Sequence, residues 1–161
     1  MSDMAEIEEL LEEVPDGQAS EKFLVFSILG RLYSFPSRLI SEIALFDTVY
    51  PLPMMPSFVI GVVNRYSVPY ALFDIGILFH KSPCKRNKVL ILKDEIDRIA
   101  FLIDDVSGIA DIHPESLFIT ERGVETGELT DAVGATFNWN ETDVFVLDVN
   151  RILSRVSEET V

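Results

Sequence analysis

Few residues in this chain are of a type and spacing that could do chemistry. Asp104 and Asp105 form the best candidate pair for proton transfer, in which one carboxylate gives a proton and the other takes one. Adjacent side chains on a strand face opposite sides, so two such carboxylates do not readily share a site, and the pair reads as a strand-end turn. His80 and His113 stand 33 residues apart with no second histidine or cysteine at ligand spacing, and both read as surface or turn histidines. The single cysteine, Cys84, lies between Pro83 and Lys85, where a nearby cation could lower its pKa, but no histidine is placed to activate it. It has no partner for an internal disulfide. There is no G-x-S-x-G elbow, Walker loop, G-x-G-x-x-G or C-x-x-C pair. Nothing favours an enzyme, a cofactor or a metal.

The elements that would position these residues are mostly strands. "KFLVFSIL" is a nearly continuous apolar run closed by Gly30, and "RLYSFP" follows a tight turn. "SRLISEIALF" mixes periods and reads as strand or short helix. "VYPLPMMP" holds three prolines and makes an irregular connection. "SFVIGVVN" and "VPYALFD" are two strands around a turn at Arg65-Tyr66-Ser67. "KVLILKD" and "RIAFLIDDVSGIADI" form another hairpin with Asp94-Glu95 in its turn, and "DVFVLDVNRILSRVSEE" is a strand running into an amphipathic helix. "ERGVETGELTDAVG" carries three glycines and has the look of the most mobile loop. Residues 4–13, with Ile7, Leu10 and Leu11 on one helical face, form an acidic helix too short to hold alone.

A length of 161 residues suits one domain, or two small lobes sharing a core. The net charge of −14 argues against nucleic acid and anionic membranes, which need cationic surface. Residues 1–21 supply eight acids and no base. The exception, "HKSPCKRNK" at residues 80–88, is either a solvated linker or a docking patch for an acidic partner. No apolar run approaches the ~20 residues that span a bilayer, and the start lacks a secretory pattern, so cytoplasmic placement is expected. Tyr66, Trp139 and Tyr50 sit beside turn or proline signals, where aromatics either anchor an interface or pack the rims of small barrels.

Two segments echo each other. "VIGVVNRYSVPYALFDIGIL" (59–78) and "AVGATFNWNETDVFVLDVNRIL" (132–153) each run from an apolar strand through a turn to a second strand, then Asp and Ile-Leu. Gly61 lies 13 residues before Asp74, and Gly134 lies 14 before Asp148. Each unit is expected to be a hairpin feeding a helix, whose free N–H groups the aspartate caps. Two similar β-rich lobes in tandem explain the echo.

Taken in order, these segments resemble the CheW-like coupling proteins of bacterial chemotaxis. The blocks are "EKFLVFSILGRLYSFP", "ISEI" (40–43), "PSFVIGVVN" (56–64), "FDI" (73–75), "LIDDV" (102–106) and "VLDVNRIL" (146–153). The resemblance implies a mainly β fold: two interlocked SH3-like five-stranded β-barrels with short helices, a C-terminal helix and a groove between the lobes. It implies a flexible acidic tail at 1–20, a CheW-like domain at 21–156 (first barrel mainly 24–80, second mainly 86–148), and a C-terminal helix and tail at 149–161. It further implies a non-enzymatic adaptor bridging the cytoplasmic tips of chemoreceptors to the regulatory domain of a CheA-type histidine kinase. Ile40, Glu42, Ile43, Gly61, Asn64, Arg65 and Tyr66 then belong to binding surfaces of the first barrel, and Asp104 and Val106 to the second. The alternative is a small-molecule-binding or stand-alone regulatory β domain using the groove.

The turn departs from the family, which places Leu-Arg-Gly where this chain has Arg65, Tyr66 and Ser67. The family arginine lies near the glutamate that Glu42 matches. Either Arg65 restores the ion pair from one position earlier, against the expected face, or Tyr66 replaces it with aromatic area and the partner differs accordingly. The second account is the reading adopted here, with Tyr66→Arg its test. Serine in place of glycine also leads us to expect no positive φ at Ser67.

Overall fold

The apolar run at residues 23–28 builds strand β1 (Glu21–Ile28), whose side chains alternate between two different cores. The computed structural model describes residues 19–46, 48–84, 88–93, 97–119 and 132–160. The remaining strands are β2 (Arg31–Pro36), β3 (Ile40–Leu45), β4 (Val59–Arg65), β5 (Val68–Asp74), β6 (Lys88–Leu92), β7 (Ile99–Ile103), β8 (Asp105–Ile112), β9 (Phe118–Ile119), β10 (Val133–Trp139) and β11 (Thr142–Leu147), and the chain ends in helix α1 (Val149–Thr160). A π-helical turn, Gly76–His80, follows β5. The acidic tail, Lys85, Arg86, the Asp94-Glu95 turn and most of the glycine-rich loop lie outside the described residues.

The strands form two sheets, ordered β8-β1-β2-β11-β10-β9 and β3-β6-β7-β5-β4. Each strand alternates sides with period two, and in β1, β6 and β7 both sides are buried, which is why those runs read as continuously apolar. In the five-stranded sheet, Val63, Tyr70, Leu72, Val89, Ile91 and Ala100 fill the lobe's own small core. In the six-stranded sheet, Phe23, Val25, Ala110, Phe137, Val144 and Val146 do the same. The intervening side chains meet in a third core between the lobes, where Phe35 stacks on Phe101 and Phe73 lies against it.

Division of the chain between lobes differs from the expected split at residues 80–86. The five-stranded lobe is continuous, residues 40–103, and is inserted into the other, which comprises residues 21–36 and 105–147. The cause is strand partnering that apolar alternation does not encode: β1 pairs antiparallel with β8, and β2 pairs parallel with β11 through Tyr33–Phe145 and Ser34–Val146. The chain passes between the sheets at Ser37–Leu39 and at Asp104.

The internal echo is structural. At an offset of 74 residues, β4-β5 maps onto β10-β11, with the same burial pattern in β4 and β10. Both turns hold two left-handed residues, Tyr66 and Ser67 (φ 50° and 64°) and Asn140 and Glu141 (φ 51° and 64°). Ser67 therefore has the positive φ that we did not expect of it. A two-residue hairpin needs this geometry to match strand twist, and serine is held in it here at a cost in strain. The glycines of the echo are not equivalents: Gly134 matches Ile60, the unpaired bulge residue of β4, while Gly61 matches Ala135. Both aspartates cap as expected. Asp74 Oδ1 accepts from the Ile77 amide at 3.1 Å, and Asp148 Oδ1 accepts from the Asn150 amide at 2.9 Å and the Arg151 amide at 3.3 Å.

Candidate functional site

Strands β3 and β4 are the two edges of the five-stranded sheet, so any bond between them closes the lobe. Arg65 and Glu42 make that bond. The guanidinium donates from Nε to Oε1 at 2.6 Å and from Nη2 to Oε2 at 2.8 Å, a planar two-point contact that raises the Arg65 pKa above its ordinary value. The adopted reading, that Tyr66 replaces this pair, is thus corrected: Arg65 restores it. Position 65 continues the inward row of Gly61 and Val63, so the alternation of β4 itself aims Arg65 at the opposite edge. Position 66 is already in the turn. Tyr66 points to solvent, 82% exposed, and the Arg65 guanidinium lies 4.5 Å from its ring centre.

The other first-lobe residues surround this pair. A bulge in β3 between Ile40 and Glu42 resets the alternation, so Ile40 and Ile43 both pack partly against the shared core while Glu42 reaches the rim. Asn64 is exposed. Gly61 (φ 150°) lets the Tyr50–Pro51 backbone lie on β4: a Cβ there would stand 2.3 Å from the Tyr50 carbonyl oxygen. Tyr50 exchanges two 2.8 Å backbone bonds with Val62, and its half-exposed ring heads an apolar stretch that includes Leu52, Met54 and Met55. The sequence reading singled out the tyrosine and passed over the methionines, whose exposure the prolines around them signal.

In the second lobe the edge contact is apolar. Trp139, at the position equivalent to Arg65, lays its ring on Gly108 of β8 and packs against the lobe's core, so it is a rim residue. Asp104 holds backbone instead. Its Oδ2 accepts from the Leu29 amide at 2.7 Å, and its own amide donates to the Ser27 carbonyl at 2.9 Å. Asp105 turns the other way, to Lys88 and to the Val106 amide. Val106 is half-buried against the shared core. The Asp104–Asp105 pair is split between two structural roles.

The other chemical candidates are committed elsewhere. Burial, with Asp74 beside it, pushes the Cys84 thiol well above its ordinary pKa, so the activation by a neighbouring cation considered from sequence does not operate. The thiol lies 3.2 Å from Asp74 Oδ1, and the Cys84 amide donates to Oδ2 at 3.0 Å. His80 is a half-buried partner of the Tyr33 hydroxyl, with Nε2 at 3.0 Å. In the basic stretch, Lys88 pairs with Asp105 and Lys81 is exposed at the end of the π-helical turn. Among the described residues, no histidine, cysteine and carboxylate group has the make-up of a metal site, and no helix is long and apolar enough to cross a membrane. Beside the Ser37–Leu39 crossing lies a cleft of about 510 Å³, lined mainly by β2, β11 and the start of α1 through Pro36, Val146, Asp148, Asn150 and Leu153, with Asp97 reaching it from the inserted lobe.

With two nested lobes, matching hairpins and an ion-paired rim in view, comparison with known proteins is decisive. The CheW-like domain model matches residues 22–157. The chain belongs to the CheW-like family. The scaffolding protein TtCheW from Thermoanaerobacter tengcongensis shares its fold, with a TM-score of 0.71 and 19% sequence identity over 80% of this chain and 89% of that one. No protein of curated function matches it closely enough in sequence to count as a relative. As a CheW-like protein the chain is a chemotaxis scaffold or adaptor, and not an enzyme.

Proposed function

We propose that this CheW-like adaptor couples the cytoplasmic tips of chemoreceptors to the regulatory domain of a CheA-type histidine kinase, in the cytoplasm at membrane-associated receptor arrays. The observation that carries this reading is the first-lobe rim, where Glu42 and Arg65 are held together beside exposed Asn64 and Tyr66 on the Gly61–Tyr50 cradle. A fixed ion pair with an exposed aromatic at its edge suits docking of a folded domain. Ile40 and Ile43 support that rim, and Val106 marks the corresponding surface of the second lobe, with Asp104 beside it bonded to backbone. The cleft takes the helical receptor tip.

Tyr66 matches the adaptor to a variant partner, because its ring adds apolar area where the family carries an arginine. Co-purification from cells, with wild type and Tyr66→Arg side by side, tests this. Wild type is expected to bring down a CheA-type kinase and chemoreceptors together, and Tyr66→Arg to recover less of one of them. Wild type recovering neither defeats the adaptor reading, and equal or tighter capture by Tyr66→Arg defeats the matched-partner reading. The cleft also supports a second reading, a small-molecule site, because its volume falls in the range of ligand pockets. That reading requires a ligand that raises the melting temperature, since binding to the folded state alone stabilises it.

A further inference from the structure

We infer that Asp104 is a positioning residue that fixes the two lobes at one mutual angle, and so sets the width of the cleft, without itself touching a partner. The chain crosses between the sheets at only two points among the described residues, and Asp104 is the whole of the second. The shared core holds the lobes against each other, and a one-residue link with two soft dihedrals leaves their exact angle to local bonds. Asp104 supplies those bonds. Its amide is bonded to Ser27 on β1, and its carboxylate holds the amide of Leu29 in the β1–β2 turn.

That turn needs holding. Leu29 has φ 52°, a left-handed conformation that a leucine adopts only under constraint, and its side chain packs against the core shared by both lobes. One carboxylate therefore ties the end of the inserted lobe to a strained turn of the other lobe. The inserted lobe contributes Asp97 to the cleft, opposite Asp148 and Asn150, so the angle between the lobes places that wall residue. The Glu42–Arg65 rim lies within one lobe and does not depend on that angle.

The inference deepens the proposed adaptor function and rests on it for its binding arm alone. Two variants, Asp104→Ala and Asp104→Asn, are compared with wild type; asparagine keeps an acceptor oxygen for the Leu29 amide and drops the charge. Amide exchange at Leu29 and the distance distribution between spin labels at exposed Ser41 and Glu141, one on each lobe, need no partner. Asp104→Ala is expected to speed the exchange and broaden the distribution, and Asp104→Asn to restore both. With a purified receptor-tip fragment and a kinase regulatory domain, Asp104→Ala is expected to lose about tenfold in affinity for the cleft-bound fragment and to hold the rim-bound domain within about twofold. Asparagine recovers the loss. An unchanged exchange rate or distribution in Asp104→Ala overturns the inference, as does a binding loss that asparagine does not rescue, which marks a direct charged contact. Wild type binding neither partner defeats the adaptor reading, while exchange and distances still decide the role of Asp104.

Discussion

Arg65 and Glu42 form the contact on which the first lobe's rim depends. Removing the arginine leaves Glu42 half-buried with its acceptors unpaired, so Arg65→Ala is expected to lower the urea midpoint and abolish rim binding. Arg65→Lys is expected to recover only part of either, since an ammonium does not reproduce the two-point geometry. Equal recovery by lysine would show that charge alone matters. Cys84 makes a prediction in pH. Above about pH 8.5, where an ordinary thiol ionises, the unfolded chain sheds this proton and the folded chain keeps it. Stability therefore falls as pH rises, by up to about 1.4 kcal/mol per unit from this group. Cys84→Ala removes that slope, and denaturation midpoints between pH 7 and about pH 10 measure it.

At the scale of elements, hairpin turns and edge approaches set the geometry. Ser67→Gly relieves a left-handed serine in β4-β5 and is expected to stabilise by about 1 kcal/mol. Gly61→Ala drives a methyl group into the Tyr50 carbonyl and is expected to cost at least about 2 kcal/mol and to detach the Tyr50 bridge, which amide exchange at Tyr50 and Val62 reports. Much of this level was legible in the sequence: the strands around Gly30 and the Arg65-Tyr66-Ser67 turn, the aspartate caps and the C-terminal helix all stand where alternation and turn residues placed them. The rim pair is not legible from the family motif, which places its arginine at position 66; the inward row of β4 through Gly61 and Val63 is what aims position 65 at Glu42. The tie from Asp104 to Leu29 joins residues 75 apart, and no local pattern announces such a bond.

For the whole molecule, the three cores make the lobes interdependent. Phe101 is fully buried between Phe35 of one lobe and Phe73 of the other, and Phe101→Ala is expected to cost about 3–5 kcal/mol. Because that core belongs to both lobes, fluorescence and far-ultraviolet dichroism are expected to report one coincident unfolding transition, and two separated transitions would contradict the shared core. The sequence reading anticipated two lobes yet divided them at the wrong place, since it assigned each strand to its neighbours in the chain. Partner choice across 78 to 112 residues rests on side-chain fit inside cores, which composition does not display.

The nesting of residues 40–103 inside the other lobe orders events on the ribosome. The β1–β2 hairpin is made before both of the strands that flank it, residues 105–112 and 142–147, and before the inserted lobe between them. While the inserted lobe closes, Phe23 to Phe26 wait with neither of their cores assembled, so this early hairpin is where a nascent chain most needs shielding by a chaperone.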